Sequence, residues 1–190
     1  MRIKDDNKKK ALFKATIKLV NEIGFSAASV SKIAKEAEVS PATLYTYYKN
    51  KEDLLVSTYL EIKQDMSRAA LEGFDDSLPL RDILEKTWLK LFRFISDHPD
   101  YYRFSEQFAS SPFSERVDQE KVEYYFVPLI RALEKGIRQK IIKDVDRHFL
   151  GAFMFHPISY LANHRVCRGF DLDDHDLETA FSMAWDAVKF

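Results

Sequence analysis

Apolar positions in this chain recur at steps of three and four and nowhere alternate convincingly with period two, so the pattern predicts helices throughout. From about Asn7 to Ile23, the residues Leu12, Phe13, Thr16, Ile17, Leu19, Val20 and Ile23 fit one helix. Gly24 ends it, being the residue that most easily takes the left-handed conformation after a helix, and Phe25 is expected to fold back into the core of this segment. Val30, Ile33, Ala34 and Ala37 repeat the pattern over a short helix, with Ser29 placed to cap it. Glu38-Val39 turns the chain. Ser40 then caps again, and Pro41 takes the first helical position, where its missing N–H costs nothing. The helix it opens is about two turns long, with Leu44 and Tyr48 on its inner side. Asn50 caps a longer one, with Asp53 in a capping-box arrangement. Leu54, Leu55, Thr58, Tyr59, Ile62, Met66 and Ala69 carry its stripe for ~30 Å.

Gly73 and Asp75-Asp76-Ser77 interrupt the pattern, and Pro79 restarts it with Leu80, Ile83, Leu84, Trp88, Leu91, Phe92 and Ile95 on one side. His98-Pro99 closes that helix and opens the next, Asp100 to Ala109. Ser114 is a candidate cap for a long helix that Pro128 must kink or divide. Asp144 or Asp146 caps a helix of about residues 145–166, bent by Pro157. The run DLDDHD caps a last helix, Asp174 to Val188, and favours its N-terminal turn electrostatically. The predicted fold class is all-α.

Two short helices around a tight turn, the second bearing small polar residues, form a helix-turn-helix pattern, whose second helix can enter the major groove. The stretch resembles the DNA-binding motif of the tetracycline-repressor (TetR) family of bacterial regulators. The resemblance rests on Gly24-Phe25, Ser29-Val30, Ile33-Ala34, Ala37, Val39-Ser40, Thr43-Leu44-Tyr45, Tyr48, Lys51 and Leu54-Leu55, over roughly the first 55 residues. Glu38 stands where that family most often has Gly, which puts a left-handed backbone on a residue with a side chain. Tyr47 stands where His is common.

Charge agrees with such a division. Residues 1–55 hold eleven Lys/Arg against seven Asp/Glu, leaving 18 against 23 in the remainder, although the whole chain of 190 residues carries a net charge of only −1. A basic head on an acidic body suits a DNA-reading module attached to a domain with another task. Lys8, Lys9 and Lys10 read as a solvated helix start in preference to a DNA-reaching arm. One cysteine, Cys167, excludes an intrachain disulfide framework and suits a reducing cytoplasm. No apolar run approaches the ~20 residues of a membrane span. The sequence holds no Gly-rich phosphate loop, no metal-spaced cysteine cluster and no nucleophile elbow. His148, His156 and His164 share a spacing of eight but are expected to be ordinary hydrogen-bonded histidines. No catalytic residue, cofactor or metal is assigned, and the expected location is cytoplasmic.

The resemblance and the helix geometry together imply residue roles. Residues 1–55 would be the DNA-binding domain, a three-helix head, and residues 56–190 the helical ligand-binding and dimerisation body. Ser40, Ala42 and Thr43 would reach base edges. Tyr45 and Tyr47 would straddle the phosphates, Lys51 would meet a phosphate, and Ser29, Ser31 and Lys32 would meet the backbone. An apolar or aromatic effector would sit among Trp88, Phe92, Tyr102, Phe104, Phe108, Tyr125, Phe126, Phe153, His156 and Tyr160, although each also suits a core. Phe149, Phe153, Leu177, Phe181, Ala184 and Trp185 would form a homodimer seam. The implied function is a repressor that binds a palindromic operator in double-stranded DNA and is released by a small molecule. The competing reading is an all-α small-molecule carrier or adaptor without operator binding.

Overall fold

The computed structural model describes residues 6–163 and 172–190. The fold is all-α, as the periodicity predicts. Its elements are α1 (Asp6–Ala27), α2 (Val30–Glu36), α3 (Pro41–Tyr47), α4 (Lys51–Ala70), α5 (Leu80–Asp97), α6 (Pro99–Ala109), a 3-10 turn η1 (Pro112–Arg116), α7 (Gln119–Tyr125), α8 (Val127–Arg138), α9 (Arg147–Met154), α10 (His156–Leu161) and α11 (Asp174–Val188). Extended pairing among the described residues is confined to one antiparallel bridge, Ile142 with Lys189. The chain divides into two compact units, Met1–Lys63 with Asp100–Asp118, and Gln64–Pro99 with Gln119–Phe190. The division falls inside α4.

In the first unit, α1 buries Leu12, Phe13, Ala15, Thr16, Ile17 and Val20, while Ile23 is exposed. Gly24 breaks the regular helix at φ 76°, ψ 168°, and one more turn follows to Ala27. Ile33 and Ala34 of α2, Leu44 of α3, and Leu54, Leu55 and Thr58 of α4 are buried too. The buried hydroxyls of Thr16 and Thr58 donate to the carbonyls four residues back, at 2.7 and 2.8 Å, so neither is left unsatisfied. Phe25 folds inward, but its neighbours lie far along the chain. Its ring meets Phe104 and Phe108 of α6 at 5.8 and 6.2 Å, and Phe113 of η1 at 5.6 Å. Asn21 adds a polar clamp, donating to the Asp100 carbonyl at 2.9 Å and accepting from Gln107 at 3.0 Å. A head of about 50 residues is marginal by itself; this aromatic layer enlarges its core.

The second unit is built on α5, whose inner face is Leu80, Ile83, Leu84, Thr87, Trp88, Leu91 and Ile95. Trp88 is fully buried; its indole N–H donates to the Met154 carbonyl at 2.9 Å, and its ring meets Phe181 edge-on at 6.2 Å. Pro128 divides the long helix, with α7 ending at Tyr125 and Pro128 seated in the first turn of α8. Ser114 caps no helix, since it lies within η1 and its hydroxyl donates to the Ser111 carbonyl. Asp146, not Asp144, caps α9 by accepting the His148 N–H. The chain breaks at Phe155, and α10 restarts with Pro157 in its first turn. Asp173 and Asp176 form a reciprocal capping box at the head of α11. Gly136 packs closely on α5, where a Cβ would crowd the buried Leu80 side chain. His164, Cys167, Gly169 and Phe170 lie outside the described residues.

Candidate nucleic-acid interface and effector region

Each short helix of the motif is opened by the serine the sequence nominates. Ser29 Oγ accepts the Lys32 N–H at 3.3 Å, and Ser40 Oγ accepts the Thr43 N–H at 3.1 Å while its oxygen lies 2.9 Å from the Thr43 hydroxyl. Capping therefore occupies both serines, and Ser40 and Thr43 present a linked pair of hydroxyls. Between the helices Glu38 takes φ 55°, the left-handed turn expected there. Such a residue costs about 1 kcal/mol relative to glycine. Asn50 caps α4 through the Asp53 N–H at 2.8 Å, but the Asp53 carboxylate reaches one residue further than a capping box requires and accepts from Lys49.

The outer side of α3 is open. Leu44 and Tyr48 face inward, and desolvation of the Tyr48 hydroxyl, with the Glu61 and Asp53 carboxylates, pushes its pKa up to about 12. Ala42 and Tyr45 are exposed, Tyr45 at 55%, whereas Thr43 and Tyr47 are half-buried. Thr46, also exposed, lies four residues after Ala42 on the same side. It is absent from the nominated set although helical spacing alone would have found it. Ser31 is exposed on the first turn of α2.

Two nominated cations sit differently. The Lys51 ammonium donates to the Phe25 carbonyl and is half-buried, and desolvation lowers its pKa. Lys32 donates to the Ala27 carbonyl at 3.1 Å. Both lysines thus donate to carbonyls in the last turn of α1, a position where a cation also suits the helix dipole. Lys51 is therefore not the free phosphate-facing cation the sequence suggests.

The effector set is divided between the two units. Trp88 is sealed in the core of the second unit. Phe104 and Phe108 are sealed in the aromatic layer of the first, to which Tyr102 also belongs. Phe92, Tyr125 and Phe126 are half-buried, while Phe153, His156 and Tyr160 are exposed on α9 and α10. None of the ten lines the cleft of about 730 Å³ that the second unit forms between residues 74–83 and 128–141. His148 is held by the Asp146 carboxylate at 2.7 Å. Among the described residues no cluster of His, Cys, Asp and Glu could hold a metal ion, and no helix is long and apolar enough to cross a membrane.

The seam set divides as well. Leu177, Phe181 and Ala184 are buried within their own unit, and Trp185 is half-buried. Phe149 and Phe153 stay exposed at 60% and 56%, joined by Tyr160 at 60% and Met183 at 70%, which the sequence reading does not include. Positions 149, 153, 156 and 160 keep helical spacing across the break at Phe155, and α9 packs against α11.

A capped helix-turn-helix with an open second helix, followed by a helical body, defines a DNA-binding transcriptional regulator. Residues 12–58 match the family described as bacterial regulatory proteins, tetR family, and residues 79–189 match the tetracyclin repressor-like C-terminal domain. The chain belongs to the TetR family of transcriptional regulators. It is 38% identical to a TetR-family transcription regulator from Marinobacter aquaeolei VT8, covering 100% of this chain and 99% of that one with a TM-score of 0.87. An uncharacterised HTH-type transcriptional regulator of Haemophilus influenzae is 27% identical over 180 residues, 94% of each chain. FadR from Bacillus subtilis, solved in complex with stearoyl-CoA, shares the fold at 22% identity and a TM-score of 0.75, over 95% of this chain and 97% of that one. These relatives are transcriptional regulators.

Proposed function

We propose that this regulator works as a homodimeric repressor, released from a palindromic operator by a small apolar or aromatic molecule. The observation that carries this reading is the open face of α3, where Ala42, Tyr45 and Thr46 stand clear of the head's core. Small side chains there let the helix backbone approach the base edges, with Ala42 and the Thr43 methyl suited to thymine and the hydroxyls to either edge. Tyr45, Tyr47, Ser31 and the backbone around Ser29 take the phosphates. Two such helices, one per subunit, read half-sites ~34 Å or a multiple apart. Effector control requires unequal binding to two conformations of the body, one of which holds the heads at the operator spacing. Selection from random-sequence DNA with purified protein tests the reading. A recovered palindrome supports it, and an asymmetric site or no enrichment sinks it.

The exposed apolar residues Phe149, Phe153, Tyr160 and Met183 support the dimer, since a second copy would cover them by self-complementary contact. Phe153→Asp is expected to leave the monomer folded, because the side chain is already exposed, and to shift it to half the mass in sedimentation at micromolar concentration. Palindrome binding should fall about tenfold or more, because the two half-sites are then no longer read by one joined species. An unchanged mass places the seam elsewhere.

A further inference from the structure

Lys63 lies on α4 one turn after Tyr59, and its ammonium stands 5.2 Å from the centre of the Tyr59 ring. That ring is stacked on Phe108 of α6 at 4.5 Å and 15°. Among the described residues the ammonium has no hydrogen bond and no ion pair, and Glu106 on α6 acts on it only through space. The Tyr59 hydroxyl likewise lacks a hydrogen-bond partner. Both residues are half-buried, and desolvation lowers the pKa of Lys63 and raises that of Tyr59. Lys9 on the same unit shows the ordinary alternative, an exposed ammonium paired with Glu61 at 3.1 Å. A half-buried ammonium without a hydrogen bond is poorly satisfied unless an anion completes it. One cation and one neutral donor a helical turn apart make a site for a group with two acceptor oxygens.

We propose that Lys63, with Tyr59 one helical turn before it, recognises the anionic end of the effector, a carboxylate or phosphate on an otherwise apolar small molecule. This rests on the effector-released reading above and adds the charge that the apolar assignment lacks. The aromatic Tyr59–Phe108 stack holds the lysine stem in place, and the apolar remainder of the ligand supplies affinity without orientation.

The test uses full-length protein and four probes of equal chain length: octanoate, octyl phosphate, octanol and octyltrimethylammonium. Binding is followed by calorimetry and by the Lys63 Cε–Hε NMR signal. At least one anion should bind and move that signal, with octanol weaker by about tenfold and the cation not bound. The preferred anion tells carboxylate from phosphate. Lys63→Met should weaken that anion about ten- to hundredfold while raising the melting temperature of the ligand-free protein, because a partly desolvated charge without a hydrogen bond has been removed. A merely structural lysine would not give these opposite shifts. Equal binding of octanol, unaltered anion affinity in Lys63→Met, or a Lys63 signal unmoved by every probe overturns the assignment. Duplex binding is measured separately on both proteins. Its retention with failed anion binding defeats only this proposal, whereas its absence in wild type defeats the regulator reading.

Discussion

Ala42→Glu is expected to lower operator affinity by about a hundredfold or more, ~3 kcal/mol, with no loss of fold. Ala42 is exposed in the first turn of α3 and has no side-chain partner to lose. A glutamate there suits the positive end of the helix, so the isolated protein should be as stable as before or slightly more so. Against DNA the same carboxylate enters a groove walled by phosphates, where it repels them and fills the space the backbone needs. Anisotropy with the selected operator, at one fixed salt concentration, gives the ratio, and a melting curve gives the control. Affinity within about threefold of wild type would mean that α3 does not enter the groove.

The largest stability effect belongs to Trp88. Trp88→Ala should destabilise by about 3–5 kcal/mol, roughly a fifth or more of the 5–15 kcal/mol available to a domain. The residue is fully buried in α5 and ties three elements of the second unit together. It stands parallel to Phe92 at 6.1 Å and edge-on to Phe181 of α11, and it donates to the Met154 carbonyl at the end of α9. That carbonyl lies just before the break at Phe155, where the helix cannot run on unbroken to satisfy it. Trp88→Phe separates the terms: most of the apolar contact survives but the carbonyl loses its donor, so about 1–3 kcal/mol should be lost. Urea unfolding checks both, provided the slope is unchanged so that the midpoint reports stability. A loss under about 1 kcal/mol for the alanine variant would remove Trp88 from the core.

Local features were legible wherever one segment settles its own conformation. Ser29, Ser40 and Asn50 cap as read, because each accepts a backbone N–H three residues ahead in its own turn. Gly24 and Glu38 take left-handed backbone where the helices must stop. The caps also show where reading stops: the Asp53 carboxylate serves Lys49, a choice between two nearby amides that depends on the exact path of the loop. The effector set meets a different obstacle. Aromatic residues at helical spacing signal an inward face, but the same signal serves a packed core and a cavity wall. Phe104, Phe108 and Trp88 proved to be core.

By itself the sequence determined the all-α class, the helix-turn-helix and its outward side. Those follow from periodicity, caps and turn residues acting over a few positions. Only the tertiary structure decided which elements share a core. Phe25 finds its partners some eighty residues away, which carries residues 100–118 into the unit of the head. It also decided between two apolar faces on the last helices, sealing Leu177, Phe181 and Ala184 and leaving Phe149, Phe153, Tyr160 and Met183 outside. Hydrophobic burial has no direction, so a stripe states that a face must leave water but not which surface will cover it. Lys51 follows the same logic for charge: its ammonium's partner is the Phe25 carbonyl, 26 residues away in the chain.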